Sequence, residues 1–318
     1  MKKEYILLAI VTIVLGAYLY FQDSDYTQYT LPRPAALKDT DITKIEIAKK
    51  DNKLVLNKKS KSWTIGDEKY PADTAKVIDL LDAIKEIKLT ALISESGNYP
   101  RYDLDDENKI EVIAFNQEKI ARRFDVGKTA SSYRHTFIKL DGNKKVYQAA
   151  KNLKSTFDIS FDKVVDRTIM KLKADAAYAL SVTDSGKKYE FRKKMEEIKV
   201  DLNKDKEKEK KDVTAEKPAE PQEAWFSLKG DKKDKSVIDD FLKKFSDLKC
   251  DSYAKGKKKE ALKEPVFAVS IKTDKEYTLS AFKSDTEEEF ICTSSENAFP
   301  FMLTSDKIKE FQKAFEKI

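Results

Sequence analysis

The chain has 318 residues, long enough for two ordinary domains that each bury a core. Lysines and arginines number 62 against 56 acidic residues, and the two signs are interspersed, which is typical of a solvated surface and not of a nucleic-acid-binding face. Eight glycines disfavour glycine-rich phosphate loops, and two cysteines exclude a disulfide-stapled small fold or a cysteine-rich metal site.

The N-terminal region contains a long uncharged segment. Residues 5–21 carry no charge, and as a helix they would rise about 26 Å, close to the thickness of the bilayer's hydrocarbon core. Lys2 and Lys3 precede the segment, and Asp23 and Asp25 follow it. The length and apolar character of this segment predict one transmembrane helix over 5–21. The positive-inside rule predicts its orientation, with a cytoplasmic stub at 1–4 and the bulk of the chain outside the cytoplasm.

Aromatic residues lie at the far end of this segment, where Tyr18, Tyr20 and Phe21 are predicted to sit at the membrane interface. The lipid bilayer is therefore a predicted partner through residues 5–21, and the predicted location is the inner cell membrane with a periplasmic or extracytoplasmic bulk. A cleaved signal peptide is the open alternative, although no clear small-x-small cleavage pair follows the apolar core.

The remainder of the chain contains an internal duplication. Residues 45–56 and 180–191 are both alternating apolar runs around a polar turn, the pattern of a β-hairpin, and Trp63 and Trp225 follow them. Each copy then has an apolar stripe at the i, i+3, i+4 spacing of an amphipathic helix. The two stripes are Val77, Leu80, Leu81, Ile84 and Ile87, and Ile238, Phe241, Leu242, Phe245 and Leu248.

Strand patterns follow the first helix at 88–94, 110–115, 120–126, 136–140 and 145–147. We predict an α+β fold of two tandem repeats after one N-terminal transmembrane helix. Each repeat is expected to be a mainly antiparallel sheet or meander with one long amphipathic helix and a short closing helix.

The predicted domain organisation follows from these patterns. Residues 22–41 are a linker, 42–158 the first repeat, 159–177 a helical connector and 178–318 the second repeat. Residues 199–222 are so rich in lysines and acids, and so poor in apolar residues, that a flexible charged insertion is predicted there.

The sequence contains no recognisable catalytic motif. A Ser-His-Asp or Cys-His site would have to use His135, the only histidine, and no G-x-S-x-G, H-E-x-x-H, C-x-x-C, P-loop or G-x-G-x-x-G sequence occurs. We therefore predict no catalytic residue, no metal site and no cofactor.

Two smaller features have competing interpretations. Cys250 and Cys292 both lie in apolar patterns, which favours buried free thiols over a disulfide without excluding the bridge. The acidic cluster at 103–107 lacks the glycine and the terminal glutamate of an EF-hand loop, which favours a solvated turn over a loose calcium site.

Two loop segments combine aromatic residues with arginine, the residue types enriched at interface hot spots. Packing of these tyrosines on the core of their own repeat is the open alternative. The candidate partner- or ligand-binding residues are Tyr99, Arg101, Tyr102, Tyr133, Arg134 and His135.

Several short motifs together resemble the DUF4340 family. They are Lys61-Ser-Trp-Thr-Ile, Pro71-Ala-Asp, Tyr102-Asp-Leu-Asp, Val126-Gly, Ser132-Tyr, Val146-Tyr and Asp166-Arg-Thr-Ile-Met-Lys-Leu. The resemblance covers most of residues 5–190. It departs from the family pattern at Asp103, where the family usually has glycine, and at Asp166-Arg167, where it usually has Arg-Asp.

The resemblance implies a membrane-anchored bacterial protein, often encoded beside ABC transporters of the gliding-motility kind. We therefore expect a non-enzymatic, membrane-tethered extracytoplasmic accessory subunit that binds a protein of an ABC-transporter-like complex and no nucleic acid. The alternatives are an envelope glycan or peptidoglycan binding module that uses the same loops, and a carboxylate-based hydrolase.

Overall fold

The structure is a computed structural model that describes residues 10–18, 29–196 and 222–318. Many of its strands alternate between buried and more exposed residues. In β1 (Lys44–Lys49), Ile45 and Ile47 are buried and their neighbours are only half-buried. Successive side chains of a strand point to opposite faces, so this pattern places one face of the sheet on a core. A tight turn then returns the chain into β2 (Asn52–Lys59), where Lys49 pairs with Asn52.

The described chain divides into two compact units, residues 1–69 with 74–161 and residues 70–73 with 162–318. The remaining strands up to residue 149 are β3 (Ser62–Ile65), β4 (Tyr70–Pro71), β5 (Leu89–Ser94), β6 (Ile110–Asn116), β7 (Lys119–Thr129), β8 (Thr136–Leu140) and β9 (Val146–Ala149). The later strands are β10 (Thr168–Lys171), β11 (Ala179–Asp184), β12 (Lys187–Glu196), β13 (Gln222–Ser227), β14 (Lys232–Lys233), β15 (Asp247–Lys249), β16 (Ser252–Tyr253), β17 (Phe267–Lys272), β18 (Glu276–Lys283), β19 (Glu289–Ser294) and β20 (Phe301–Thr304).

The described residues form two large antiparallel sheets of nine strands each, and the strands of both sheets are arranged in an equivalent order. From β3 onward the first sheet has the order β3-β2-β1-β6-β7-β8-β9-β5, and from β13 onward the second has β13-β12-β11-β17-β18-β19-β20-β16. Strands β1 and β11 therefore occupy the same place, each between its hairpin partner and a strand that comes later in the chain.

The helices of the described residues are short. They are α1 (residues 10–18), α2 (Thr74–Lys85), α3 (Leu153–Phe157), α4 (Phe161–Val164), α5 (Lys235–Lys243) and α6 (Ser305–Phe315). The apolar face of α2 is buried through Val77, Leu80, Leu81 and Ile84. In the second unit, α5 and α6 meet through aromatic rings, with the centroids of Phe241 and Phe315 6.1 Å apart.

The predicted α+β fold class is wrong, because the structure is mostly antiparallel sheet with few helices. The apolar stripes overestimated helix length, since burial continues past the helix ends into the next element. Ile87 lies beyond the end of α2, and Leu248 belongs to β15. The predicted short closing helix of the second repeat, α6, has eleven residues and is longer than the nine-residue α5.

The predicted N-terminal transmembrane helix is also not found. Residues 10–18 are helical and exposed, while 5–9 and 19–21 lie outside the described residues. Across 10–18, 29–196 and 222–318, no helix has both the length and the apolar character needed to cross a membrane.

Other sequence predictions have mixed outcomes. Thr168–Lys171, inside the predicted helical connector at 159–177, is the strand β10, which pairs with β15.

Cys250 and Cys292 are confirmed as buried free thiols, and burial raises the pKa of Cys250 to about 12. The predicted insertion at 199–222 lies outside the described residues except for Gln222, which begins β13. The predicted repeat boundaries stay predictions.

Candidate functional site

The first candidate segment is a single 3-10 turn, Tyr99–Tyr102, held between two residues with left-handed backbone. Asn98 before it and Asp103 after it both have φ of +55°. The amide of Leu104 donates to the carbonyl of Tyr99 at 3.0 Å, and the Tyr99 hydroxyl donates to the Lys144 carbonyl at 3.0 Å. These bonds hold the turn in one conformation and leave the Arg101 side chain exposed.

This turn rests on the hairpin formed by β7 and β8. The ring of Tyr102 packs on Phe137 of β8, with centroids 5.0 Å apart. On β7, Gly127 lies so close to the Tyr102 backbone that a methyl group at position 127 would overlap the Tyr102 carbonyl oxygen and lie 2.9 Å from Cγ of Leu104. The pairing of β7 with β8 shifts register between Val126 and Thr129, next to this contact.

The second candidate segment is the loop that joins β7 to β8. The Ala130 amide donates to the His135 carbonyl at 2.8 Å, and the Tyr133 amide donates to the Ala130 carbonyl at 2.9 Å. Tyr133 has a φ of +57°, and 79% of its surface is exposed, the largest exposure of any large apolar side chain in the described ranges. Arg134 beside it is also exposed. The loop therefore presents an exposed aromatic side chain on a hydrogen-bonded backbone.

His135 lies in the same loop and is half-buried. Its Nδ1 is 2.9 Å from the hydroxyl of Ser132, a contact between residues three apart in the chain. Nucleophilic catalysis by such a pair also needs a third group that orients the histidine. No other side chain of the described residues contacts the ring of His135 by a hydrogen bond or ion pair.

The short helix α3 connects the two segments. Its N-cap, Asn152, accepts hydrogen bonds from the Ser155 amide at 3.1 Å and the Thr129 hydroxyl at 3.2 Å, and donates to the Tyr133 carbonyl at 3.3 Å. Two residues further, Lys154 forms an ion pair with Asp103 at 3.4 Å.

Four of the six candidate residues therefore lie around one structural support, made of the β7–β8 hairpin and the start of α3. We call Arg101, Tyr102, Tyr133 and Arg134 the loop surface. Tyr99 points elsewhere, since its ring faces the ammonium group of Lys139 at 5.4 Å, and His135 is turned into its own loop. Whether any of the six binds a partner stays a prediction.

Three residues that organise the loop surface were not identified from the sequence: Gly127, Asn152 and Lys154. An asparagine just before a short apolar run is an N-cap signal, which would have identified Asn152. The contact of Gly127 with Tyr102 and the ion pair of Lys154 join residues distant in the chain, and no local pattern indicates them.

The acidic cluster at 103–107 forms a turn whose acids have partners both inside and outside the turn, since Asp103 pairs with Lys154 and Glu107 with Lys50. The Asp105 carboxylate accepts hydrogen bonds from the Glu107 amide at 3.1 Å and the Asn108 side chain at 2.9 Å, and Lys109 pairs with Asp106 at 2.5 Å. Within the part of the chain that the structure describes, no group of three or more His, Cys, Asp or Glu residues is placed to hold a metal ion.

The backbone of Asp103 leads to a stability prediction. A left-handed backbone costs most side chains about 1–2 kcal/mol, less for aspartate and nothing for glycine. We expect Asp103→Gly to change the free energy of unfolding by less than about 1 kcal/mol, since it relieves strain but loses a partly exposed ion pair. We expect Asp103→Val to cost about 2 kcal/mol, because a β-branched side chain is disfavoured at positive φ. Urea unfolding of both variants measures the difference, and equal stabilities would contradict the assigned backbone.

Comparison with known proteins identifies the family. The model of the family described as "Domain of unknown function (DUF4340)" matches residues 63–265, more than half of the chain. The match includes Gly127 and both segments of the loop surface. Searches of curated proteins and of solved structures gave no significant match. The chain belongs to the DUF4340 family.

Proposed function

We propose that this chain is a non-enzymatic accessory subunit of an ABC-transporter-like complex in the cell envelope, and that it binds its protein partner through the loop surface. The observation that carries the proposal is the exposed Tyr133 side chain on an ordered loop, with Arg101 and Arg134 exposed in the same two segments. The proposed location is extracytoplasmic and at the cell membrane, and the association with a transporter rests on the family resemblance alone.

The composition of the loop surface supports protein binding. Tyrosine and arginine are enriched among the residues that contribute most of the binding energy at protein interfaces. Tyrosine supplies a large contact area, and few of its side-chain torsions must be restricted on binding. An exposed tyrosine without such a role would be easy to replace by a polar residue, since leaving it in water gives the folded chain no burial energy.

The order of the loop supports the same conclusion. Hydrogen bonds from Asn152, from the Tyr133 amide and across the base of the loop fix the backbone before any partner arrives. A surface that is already ordered loses less conformational entropy on association, so more of its contact energy appears as affinity.

Replacement of Tyr133 tests the proposal. We expect Tyr133→Ala to reduce co-purification of transporter subunits from gently solubilised membranes by about tenfold or more, since a hot-spot aromatic contributes about 2 kcal/mol or more. Quantitative mass spectrometry of the transporter permease and ATPase provides the measurement. Ile120→Ala is the matched control, because Ile120 is a large apolar side chain of the same unit that is 53% exposed and outside the loop surface.

Two results would contradict the proposal. One is a full-length chain that is recovered from membranes without any transporter subunit. The other is equal recovery of those subunits with Tyr133→Ala and with Ile120→Ala. Binding of purified cell wall that depends on Tyr133 would instead favour the glycan-binding alternative.

A further inference from the structure

A trough of about 550 Å³ lies on the outer face of the second sheet. It runs over β11 and β17, with β12 and β18 on either side. The opposite face of these strands is buried, through residues such as Leu180, Val182 and Ile271. The volume falls within the usual range of ligand pockets, about 300–1,000 Å³.

Small side chains make up the floor. The two central strands contribute Ala179, Ser181 and Thr183 from β11 and Ala268 and Ser270 from β17. These residues are cross-strand neighbours, since Ser181 pairs with Ser270 and Thr183 pairs with Ala268. The floor therefore offers hydroxyl groups and little bulk.

The first sheet carries larger side chains at two of the corresponding cross-strand pairs. There β1 and β6 pair Lys44 with Phe115 and Glu46 with Ile113, where β11 and β17 pair Ala179 with Lys272 and Ser181 with Ser270. The ammonium group of Lys44 lies 4.8 Å from the Phe115 ring centroid, and Glu46 forms ion pairs with Lys44 and Lys53. The same surface is thus filled in the first unit and open in the second.

Two cations flank the floor at one end. Ala179 pairs with Arg192 of β12 on one side and with Lys272 of β17 on the other. The Cα atoms of Arg192 and Lys272 are two strand spacings apart, about 10 Å. Long side chains can span this distance above the small side chain of Ala179. Neither Arg192 nor Lys272 forms an ion pair with any residue that the structure describes.

The acids of the trough already have partners. Glu190 is paired with Lys188, and Glu276 accepts a hydrogen bond from the Ser270 hydroxyl at 2.6 Å. The hydrogen bond from Lys188 lowers the pKa of Glu190, and the charges of Arg192 and Lys272 lower it further. Positive charge therefore remains at this end of the trough for an anion.

An aromatic ring completes the same end. Tyr178 precedes Ala179, lines the trough and is 53% exposed. Its amide donates to the Lys272 carbonyl at 3.0 Å, which fixes its backbone beside the cations. A ring next to hydroxyl and cationic groups can cover the apolar face of a ring-shaped polar ligand.

We infer that this trough binds an acidic saccharide, with a carboxylate held between Arg192 and Lys272 above Ala179 and sugar hydroxyls on Ser181 and Ser270. Arginine binds a carboxylate through two parallel hydrogen bonds, which suits a single acidic group. A peptide strand is a poorer fit, because it would need free backbone groups at a sheet edge or apolar side-chain pockets. On β11 and β17 the backbone groups are used in pairing on both sides. The inference is independent of the proposed function, since the loop surface lies in the other unit.

Calorimetric titration of the full chain with tri-galacturonate tests the inference. Neutral galactotriose is the matched probe without charge, while inorganic phosphate and a tri-glutamate peptide test simple anion binding. We expect tri-galacturonate to bind at least tenfold more tightly than each of the other three. Arg192→Ala and Lys272→Ala should each weaken it by about tenfold or more, the usual effect of removing a charged hydrogen-bond partner.

Two further variants separate the trough from general surface charge. Lys283→Ala removes an exposed cation of β18 outside the trough and should leave the affinity unchanged. Ser181→Glu places the first sheet's residue on the floor and should abolish binding by bulk and repulsion. The inference is overturned if tri-galacturonate does not bind, if phosphate or tri-glutamate binds equally well, or if Lys283→Ala weakens binding as much as Lys272→Ala. Circular dichroism of each variant verifies folding.

Discussion

Gly127→Ala is expected to destabilise the first unit by about 3 kcal/mol or more, the upper range for overpacking a buried site. The added methyl group would overlap the carbonyl oxygen of Tyr102 and crowd Leu104, which is buried. A backbone carbonyl cannot rotate away as a flexible side chain can. The turn Tyr99–Tyr102 would have to move off β7, so the loop surface should lose its geometry together with stability.

The free energy of unfolding in urea, followed by fluorescence, provides the measurement. Gly142→Ala is the matched control, because Gly142 has a φ of +66° and no atom within 4 Å of the added methyl group. Its cost is conformational only, about 1 kcal/mol. If the two variants lose equal stability, the close approach of Gly127 to Tyr102 does not limit the packing of the turn.

Arg122→Ala is expected to lower the free energy of unfolding by about 3 kcal/mol, because it removes a buried cation that donates hydrogen bonds to several backbone carbonyls. Arg122 is 9% exposed, and its guanidinium donates to the carbonyls of Ile84, Lys85 and Ala35, with 2.8 Å to Lys85. The first two belong to the C-terminal turn of α2, where carbonyls lack helical partners and the helix dipole favours a positive charge. Burial lowers the pKa of Arg122, but the group stays charged at neutral pH, so no pH dependence is expected there.

The adjacent arginine supplies the control. Arg123 is exposed and pairs with Glu111 at the surface, so Arg123→Ala should cost less than about 1 kcal/mol. Arg122→Lys should recover only part of the loss, because one ammonium group cannot reproduce the planar fork of donors. Urea unfolding and hydrogen exchange at the last turn of α2 measure these effects. Equal costs for Arg122→Ala and Arg123→Ala would show that the buried hydrogen bonds contribute little.

Local periodicity explains what could be predicted. The alternating patterns at 110–115 and 136–140 coincide with β6 and β8, and the stripe of Val77, Leu80, Leu81 and Ile84 is the buried face of α2. These patterns arise because each residue's exposure depends on its position along a strand or helix. The motifs that indicated the DUF4340 family are also local, and that prediction is confirmed.

Local patterns gave wrong helix predictions where buried residues continue from one element into the next. Ile169 and Met170 lie in the predicted helical connector, yet they belong to the strand β10, because β15 pairs with that strand. The same cause extended the predicted helices beyond α2 and α5. A short apolar run does not specify helix or strand until its partner is known.

The sequence by itself determined the family, most strands of the first unit, the helix stripes, the buried thiols and the two segments in which aromatic residues accompany arginine. Only the tertiary structure decided the strand order, the contact of Gly127 with Tyr102, the joining of both segments by α3, and the open trough of the second sheet. These features depend on residues far apart in the chain, such as Asn152 with Tyr133 and Arg192 with Lys272. Sheet pairing sets their proximity, and no periodicity within a single segment encodes it.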